Sequence, residues 1–147
     1  MLNITQPHVA VFGAKDWQQA TVIRRLVDDL AMPVSIDVYP TVREEDGLAR
    51  SSRNAYLSAE ERRCVPVLAR ALEAGARAFG RGERGGSALE AILADEVGAE
   101  RGARLQYAAV VDPETLQPLD IARGRVLLAL AVHVGSTRLI DNRLVEE

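Results

Sequence analysis

A segment of seven consecutive residues near the amino terminus could bind a phosphate group through its backbone and its one lysine. They follow the apolar run at residues 9–12 and read Gly13-Ala14-Lys15-Asp16-Trp17-Gln18-Gln19. Glycine lets a backbone approach a ligand closely, and a helix that begins here would offer unpaired amide hydrogens. Lys15 is the only lysine among 18 basic residues, and its ammonium group is a compact point charge suited to phosphate.

The other polar side chains of this segment extend the possible chemistry. Asp16 could cap the helix, orient a ribose or reach a metal bound to phosphates, and Gln19 could bind a small polar acid through its amide. The same pattern also fits a strand end, a turn and a capped helix with no ligand. Spacing alone leaves both interpretations open.

A second polar cluster, Arg50-Ser51-Ser52-Arg53-Asn54, lies in an aperiodic stretch at residues 41–57. Two hydroxyls and two guanidinium groups on a loop could surround a polyphosphate, because guanidinium and hydroxyl groups both donate hydrogen bonds to phosphate oxygens. The alternative is an irregular, polar connection between two domains. If the first cluster lies at the end of a strand that binds nucleotide, this connection could fold over the same site.

The first of these clusters requires a βαβ unit to position it. Residues 9–12 predict a buried strand, and Asp16 is the expected cap of the helix that follows. Apolar residues then recur at helical spacing and predict one inward face, formed by Ala20, Ile23, Leu26, Val27 and Leu30. Pro33 ends this helix, and residues 34–39 predict a second, parallel strand.

The rest of the chain predicts helices followed by strands. Ser58 with Glu61, and Ser87 with Glu90, each have the spacing of a capping box at the start of a helix. Pro66 should kink the first of these helices or delay its regular part. Strands are predicted at 105–112, 125–133 and 137–141, which makes a small antiparallel sheet.

The predicted fold class is therefore α/β plus α+β. A partial Rossmann-like βαβ unit at 1–41 is followed at 42–147 by a small domain of helices packed on an antiparallel sheet. Residues 42–57 are its connection and candidate phosphate-binding loop.

Composition restricts the class of protein. A net charge of -3 and an aromatic content of 4% argue against nucleic acid binding. No apolar run is long enough to span a membrane, and the single cysteine, Cys64, rules out an internal disulfide. We expect a soluble, cytoplasmic protein that binds neither nucleic acid nor membrane, with Cys64 as a half-buried helix thiol.

Several segments together resemble the pantothenate synthetase (pantoate–β-alanine ligase) family. They occur in the family's order and spacing: Phe12-Gly13-Ala14-Lys15-Asp16-Trp17-Gln18-Gln19, Pro40-Thr41-Val42-Arg43-Glu44, Asp46-Gly47-Leu48-Ala49, Ser51-Ser52-Arg53-Asn54, Tyr56-Leu57-Ser58 and Thr137-Arg138-Leu139-Ile140-Asp141-Asn142. The family belongs to the nucleotidyltransferases that resemble class I aminoacyl-tRNA synthetases. The resemblance runs from about residue 2 to the carboxyl terminus.

This resemblance implies a reaction and a set of site residues. The family uses ATP and magnesium to convert pantoate into a pantoyl adenylate, which β-alanine then attacks to give pantothenate. The implied ATP site comprises Gly13, Ala14, Lys15, Asp16, Val42, Arg50, Ser51, Ser52 and Arg53, of which Lys15, Ser51, Ser52 and Arg53 are catalytic. Gln19 and Phe12 are implied to hold pantoate, no residue is assigned as a metal ligand, and Lys15 and the serine pair should meet the same triphosphate.

The chain also departs from the family pattern. Arg50 replaces an apolar residue and Trp17 a tyrosine, and the family's His-x-Gly-His motif and second pantoate-binding glutamine are missing. His8 and His133 are expected to be structural. We therefore expect this polypeptide alone to be inactive.

The alternative is a non-catalytic nucleotide-binding or complementing module that needs a separate amino-terminal half. The resemblance implies that the full-length protein is a homodimer. A chain with exposed strands at residues 9–12 and 34–38 should be prone to self-association.

Overall fold

The computed structural model describes residues 1–147, which divide into two compact units, Met1–Thr41 and Val42–Glu147. The assignment of these units to a nucleotide-binding domain and a lid domain stays a prediction. No helix in the chain is both long enough and apolar enough to cross a bilayer.

The first unit contains the predicted βαβ arrangement. Its elements are α1 (Leu2–Thr5), β1 (Val9–Gly13), a short 3-10 turn (Ala14–Asp16), α2 (Trp17–Asp29) and β2 (Ser35–Tyr39). The two strands pair in parallel, with Val9 opposite Ser35 and Gly13 opposite Tyr39. This pairing confirms the prediction of strand, helix and parallel strand.

The strand predicted at residues 9–12 is present, but the prediction that it is buried is wrong. Val9 is 50% exposed and Val11 is 62% exposed, whereas Ala10 and Phe12 on the opposite face are half-buried. A strand is buried on both faces only when structure covers each face. In this unit the one long helix is α2, and the four-residue α1 has no buried residue.

The inward face of α2 is also narrower than its apolar spacing predicts. Ala20 and Val27 are 2% and 7% exposed, but Leu26 and Leu30 are 46% and 61% exposed. A two-stranded sheet offers too little surface to cover the whole apolar stripe of the helix. The spacing therefore predicts the helix correctly and its buried residues only in part.

Asp16 occupies the residue before α2, but its side chain makes no capping hydrogen bond. A capping side chain normally needs an extended backbone to fold back over the first amides of the helix. Asp16 has φ -99° and ψ 59° because the chain enters α2 through the 3-10 turn. The expected cap is therefore absent, and the Asp16 carboxylate is exposed at the start of α2.

The second unit is the predicted α+β arrangement. It contains α3 (Ala59–Cys64), α4 (Pro66–Gly80), α5 (Gly86–Gly98), β3 (Ala103–Val111), β4 (Val126–Val134) and β5 (Thr137–Val145). The three strands form an antiparallel sheet in the order β3-β4-β5, and β5 extends four residues beyond the predicted end. Pro66 begins α4, where the missing amide costs nothing, so it separates α3 from α4 as expected.

A continuous apolar core joins α4 and α5 to this sheet. Seven of the leucines that form it are at most 2% exposed: Leu48, Leu68, Leu72, Leu89, Leu93, Leu128 and Leu130. Burial of each leucine side chain contributes about 1.5–3 kcal/mol relative to exposure, so these residues dominate the stability of the unit. The core lies wholly within Val42–Glu147.

One of the two predicted capping boxes is present. The Ser58 hydroxyl accepts from the Glu61 amide at 3.2 Å, and the Glu61 carboxylate accepts from the Ser58 amide at 2.7 Å. The box predicted at Ser87 is wrong, because α5 begins at Gly86 without a side-chain cap. Glu90 instead accepts a hydrogen bond from the Val110 amide of β3 at 3.1 Å.

The start of α5 is fixed by backbone contact with the connection between β3 and β4. The Gly86 amide donates to the Asp120 carbonyl at 2.9 Å, and a Cβ at Gly86 would lie 1.8 Å from the Leu119 carbonyl oxygen. No side chain fits at that distance, which explains why the helix begins with a glycine rather than at Ser87.

Replacing Gly86 with alanine should destabilise the second unit. We expect Gly86→Ala to lower the free energy of unfolding by about 1–3 kcal/mol, because the new methyl group must displace backbone atoms. Gly98→Ala is the matched control, since Gly98 ends the same helix and a Cβ there meets nothing within 4 Å. Urea unfolding followed by circular dichroism measures both, and equal midpoints for the two variants would contradict the prediction.

Candidate functional site

The first candidate cluster lies where β1 passes into α2. Phe12 and Gly13 end the strand, Lys15 lies in the 3-10 turn, and Gln19 lies in the first turn of α2. Lys15 is half-buried, whereas Asp16 and Gln19 are exposed. The carboxyl end of a parallel strand is where open α/β sheets bind ligands, so the structure places this cluster where the sequence predicts it.

Gly13 is not required by the backbone conformation at the end of β1. Its φ of -86° and ψ of 138° are extended and open to any residue. A Cβ at this position would meet nothing within 4 Å. The missing side chain therefore leaves the strand end accessible to a molecule outside the chain, which can approach the backbone closely.

The second candidate cluster lies in the second unit, on residues 42–57. The sequence predicts an irregular polar connection here, and this is wrong in part because the segment folds back on itself. Arg43 pairs with Ala49 in a short antiparallel bridge, and the Arg50 amide donates to the Val42 carbonyl at 2.9 Å. Leu48 and Ala49 are 2% and 1% exposed, so packing of these two side chains fixes the segment.

We call this folded segment, residues 42–57, the serine turn. It presents the polar side chains that the sequence singles out. Ser51 is half-buried and accepts a hydrogen bond from the Arg53 amide at 3.3 Å, which begins a 3-10 turn at Ser52–Tyr56. Ser52, Arg53 and Arg50 are exposed. The arrangement displays hydroxyl, amide and guanidinium donors on one short piece of chain, which suits an anion with several oxygens.

Hydrogen bonds and ion pairs among Glu44, Asp46, Asn54 and Arg62 hold the serine turn in its conformation, and we call these four residues the first brace. The Glu44 carboxylate accepts from the Asn54 amide at 2.7 Å and pairs with the Arg62 guanidinium. Arg62 also pairs with Asp46 at 2.8 Å, and Asp46 accepts from the Leu48 amide at 3.1 Å. Sequence reasoning names Asn54 as part of a phosphate loop, whereas the structure shows that its side-chain amide holds the turn closed.

A second brace connects the serine turn to β5. The Arg43 guanidinium donates two hydrogen bonds to the Asp141 carboxylate, at 2.6 and 3.0 Å, and one to the Gly47 carbonyl at 2.9 Å. The Asp141 side chain has no exposed surface. Sequence reasoning missed this pair because 98 positions separate the two residues, although both lie in segments that carry the family resemblance.

The chain contains no group of three or more histidine, cysteine or acidic side chains placed to hold a metal ion. His8 is exposed before β1, and His133 is half-buried on β4 opposite Arg104 and Arg138. Cys64 is half-buried at the end of α3, as predicted, and its thiol donates to the Arg101 carbonyl at 3.3 Å.

Known structures show where this fold occurs. Pantothenate synthetase from Thermus thermophilus is 44% identical with a TM-score of 0.91, over 97% of this chain and 51% of that one. Pantoate-beta-alanine ligase from Francisella tularensis, solved with beta-gamma ATP and beta-alanine, is 30% identical with a TM-score of 0.63, over 97% and 46% of the two chains.

Curated relatives agree with these structures. The pantothenate synthetase of Moorella thermoacetica is 51% identical over 146 residues, and that of Roseiflexus sp. (strain RS-1) is 52% identical over 146 residues. Each match covers 99% of this chain and 52% of the relative, so the chain spans about half the length of the curated relatives it matches.

The fold is therefore one that occurs in a class of ligases. More particularly, the chain belongs to the pantoate-beta-alanine ligase family, whose model matches residues 1–144.

Replacing Glu44 tests how much the first brace contributes to the stability of the chain. Glu44→Ala removes the acceptor of Asn54 and one partner of Arg62, so we expect the free energy of unfolding to fall by about 1–3 kcal/mol. Glu45→Ala is the matched control, because Glu45 is exposed. A substitution at such a surface position changes the free energy of unfolding by at most about 0.5 kcal/mol. Urea unfolding of both variants decides, and a loss for Glu45→Ala as large as for Glu44→Ala would contradict the assignment.

Proposed function

We propose that this chain supplies part of the ATP and pantoate sites of a ligase that condenses pantoate with β-alanine. The observation that carries the proposal is the family match over residues 1–144, which contains both polar clusters. The Francisella tularensis relative, solved with beta-gamma ATP and beta-alanine, supports ATP and β-alanine as ligands. A reaction that consumes ATP, and a chain with one cysteine, also support a cytoplasmic location.

The strand-end cluster is proposed to bind the nucleotide. The accessible backbone of Gly13 lets phosphate approach, and the Lys15 ammonium group offsets its negative charge. Ala14, the next residue along the chain, is proposed to line the same site. Asp16 does not use its carboxylate to cap α2, so this group is available to the ribose or to a cation carried by the nucleotide.

The serine turn, in the second unit, is proposed to bind phosphate groups of ATP. Ser51, Ser52 and Arg53 would donate to phosphate oxygens, and the exposed Arg50 would add positive charge. Val42 is 63% exposed and is proposed to contact the adenine end through its backbone. Its carbonyl already accepts from Arg50, which fixes the direction of the peptide at that point.

Pantoate is proposed to lie beside Gln19 and Phe12. The Gln19 amide offers two donors and one acceptor to a hydroxy acid, and it is exposed in the first turn of α2. Phe12 is half-buried on β1 and would contact the apolar part of the same molecule.

Magnesium fits this proposal as an ion that arrives on the nucleotide. The chain has no cluster of three acidic or histidine side chains to hold it, and magnesium is commonly bound through substrate phosphates with few protein ligands. It would supply positive charge to the phosphate oxygens.

The proposed chemistry has two steps. A pantoate carboxylate oxygen attacks the α-phosphorus of ATP, pyrophosphate leaves, and a pantoyl adenylate forms. The amine of β-alanine then attacks the acyl carbon, AMP leaves with the bonding electrons, and the nitrogen loses a proton. Negative charge develops on the α-phosphate and on pyrophosphate in the first step, where Lys15, Ser51, Ser52 and Arg53 would stabilise it.

A second candidate function is a complementing module that pairs with a separate polypeptide supplying an amino-terminal half. Val9, Val11 and Tyr39 are 50%, 62% and 61% exposed on one face of the two-stranded sheet. Ser35 and Asp37 share this face, but large apolar side chains with this much exposed surface are normally covered by other structure. The chain also matches about half of each curated relative.

A chimaeric enzyme tests the first function. Replacing the matched 146 residues of the Moorella thermoacetica relative with this chain should give an enzyme that forms pantothenate from pantoate, β-alanine and ATP. Lys15→Ala should lower kcat by about 10²–10³, the usual effect of removing one donor to developing charge. Product formation measured by mass spectrometry decides.

Controls separate this result from misfolding and background. The 147-residue chain alone, at the same concentration, should form no pantothenate above its own Lys15→Ala variant. An inactive chimaera with a native circular dichroism spectrum would contradict the proposed function. So would a chimaera whose activity is unchanged by Lys15→Ala.

Self-association tests the second candidate function. We expect the chain alone to form oligomers as its concentration rises, because Val9 and Val11 are exposed beside each other on one sheet face. Val9→Thr with Val11→Thr preserves strand propensity and should shift the chain towards monomer in size-exclusion chromatography with light scattering. Val42→Thr is the control, since Val42 is similarly exposed in the other unit, and a monomeric wild-type chain at every concentration would contradict the expectation.

A further inference from the structure

The Arg43–Asp141 pair attaches the serine turn to the buried strand residues of the second unit. Asp141 lies within β5, where it is opposite Leu130 of β4, and its side chain has no exposed surface. The Asn142 amide also donates to its carboxylate at 2.8 Å. A buried carboxylate requires such partners, so its position is fixed and Arg43 must be held against it.

Further hydrogen bonds fix the residues of the serine turn that follow Arg43. Arg43 donates to the Gly47 carbonyl, and the Arg50 amide donates to the Val42 carbonyl. On the far side, Asn54 donates to Glu44 at 2.7 Å and to the Ala49 carbonyl at 3.2 Å. Residues 51–53 therefore span only the short distance between two fixed points, Arg50 and Asn54.

The energetics of the Arg43–Asp141 pair favour a role in geometry over a role in stability. Buried ion pairs are often no more stabilising than apolar side chains of the same volume, because both charges lose their hydration. The network also leaves Asn54 Oδ1 and Arg62 Nη1 buried without hydrogen-bond partners, which costs free energy. The bidentate Arg43–Asp141 pair fixes the orientation of both groups. We take this fixed orientation as the reason that the costs are tolerated.

We infer that Arg43 and Asp141 are positioning residues, which hold the serine turn in the conformation that presents Ser51, Ser52 and Arg53 to phosphate. The inference rests on the proposed function for its ligand, magnesium–ATP. Neither residue needs to touch the nucleotide. Their effect is to preorganise the donors that stabilise charge on the phosphate groups. Preorganisation contributes most to catalysis at donors that face developing charge.

The decisive variants keep charge or shape while removing the bidentate geometry. Arg43→Lys keeps the positive charge but replaces the planar guanidinium with a single ammonium group. Asp141→Asn keeps the shape and removes the negative charge. Arg70→Lys is the matched control, because Arg70 of α4 also pairs with a carboxylate of the same unit, Glu100, at 2.9 Å.

Amide hydrogen exchange in the full chain is the first measurement. The amides of Glu44, Leu48, Arg50 and Asn54 are hydrogen-bonded within the serine turn. Arg43→Lys and Asp141→Asn should raise their exchange rates by about tenfold or more, with the amides of α4 and α5 unchanged. Arg70→Lys should alter neither set.

The kinetics of the chimaeric enzyme are the second measurement. Arg43→Lys should raise KM for ATP by about tenfold while KM for pantoate stays within about twofold, because only the phosphate contacts lose their positions. Arg70→Lys should leave both KM values unchanged.

Two results would overturn the inference. One is exchange and KM values for Arg43→Lys that match those of Arg70→Lys. The other is faster exchange spread equally over α4 and α5, since that would show a purely structural contribution. A wild-type chimaera that makes no pantothenate would instead refute the proposed function, and the exchange measurement would still decide whether Arg43 and Asp141 hold the turn.

Discussion

Burial of one carboxylate constrains the geometry of the serine turn. Asp141 lies inside a strand with no exposed side-chain surface, so its charge must be matched where it lies. Arg43 supplies the match with two hydrogen bonds and thereby draws residues 42–57 against β5. The buried Leu48 and Ala49 then pack as part of the unit, and the serine pair is displayed at the surface of a braced turn.

Local patterns predicted the elements of the fold well, because their causes are local. The helical spacing and the proline positions gave the βαβ unit, and Ser58 with Glu61 gave a true capping box. Failures occurred where a distant contact decides the outcome. Ser87 does not cap α5 because Gly86 must contact the backbone of Leu119, and Val11 is exposed because nothing in its own unit covers that face.

The candidate site likewise combines residues that local sequence patterns reveal with contacts that only the folded chain reveals. The residue types and order of Lys15, Ser51, Ser52 and Arg53 are visible in the sequence, and they carry the resemblance that the family match confirms. The reason that Arg43 and Asn54 accompany them is not visible. A guanidinium and a carboxylate 98 positions apart show no local period, so only the folded chain reveals that one orients the other.

The two units differ in how far each is stabilised by its own residues. The core lies entirely within Val42–Glu147, whereas Met1–Thr41 buries only Ala20 and Val27 among its apolar residues. A two-stranded sheet with one long helix has little apolar area to offset the entropy of ordering its backbone. The conformation of the serine turn is thus intrinsic to the second unit. The strand end that carries Gly13 and Lys15 lies instead in the unit where Val9, Val11 and Tyr39 are exposed, so we expect phosphate binding by the chain to be limited by the first unit.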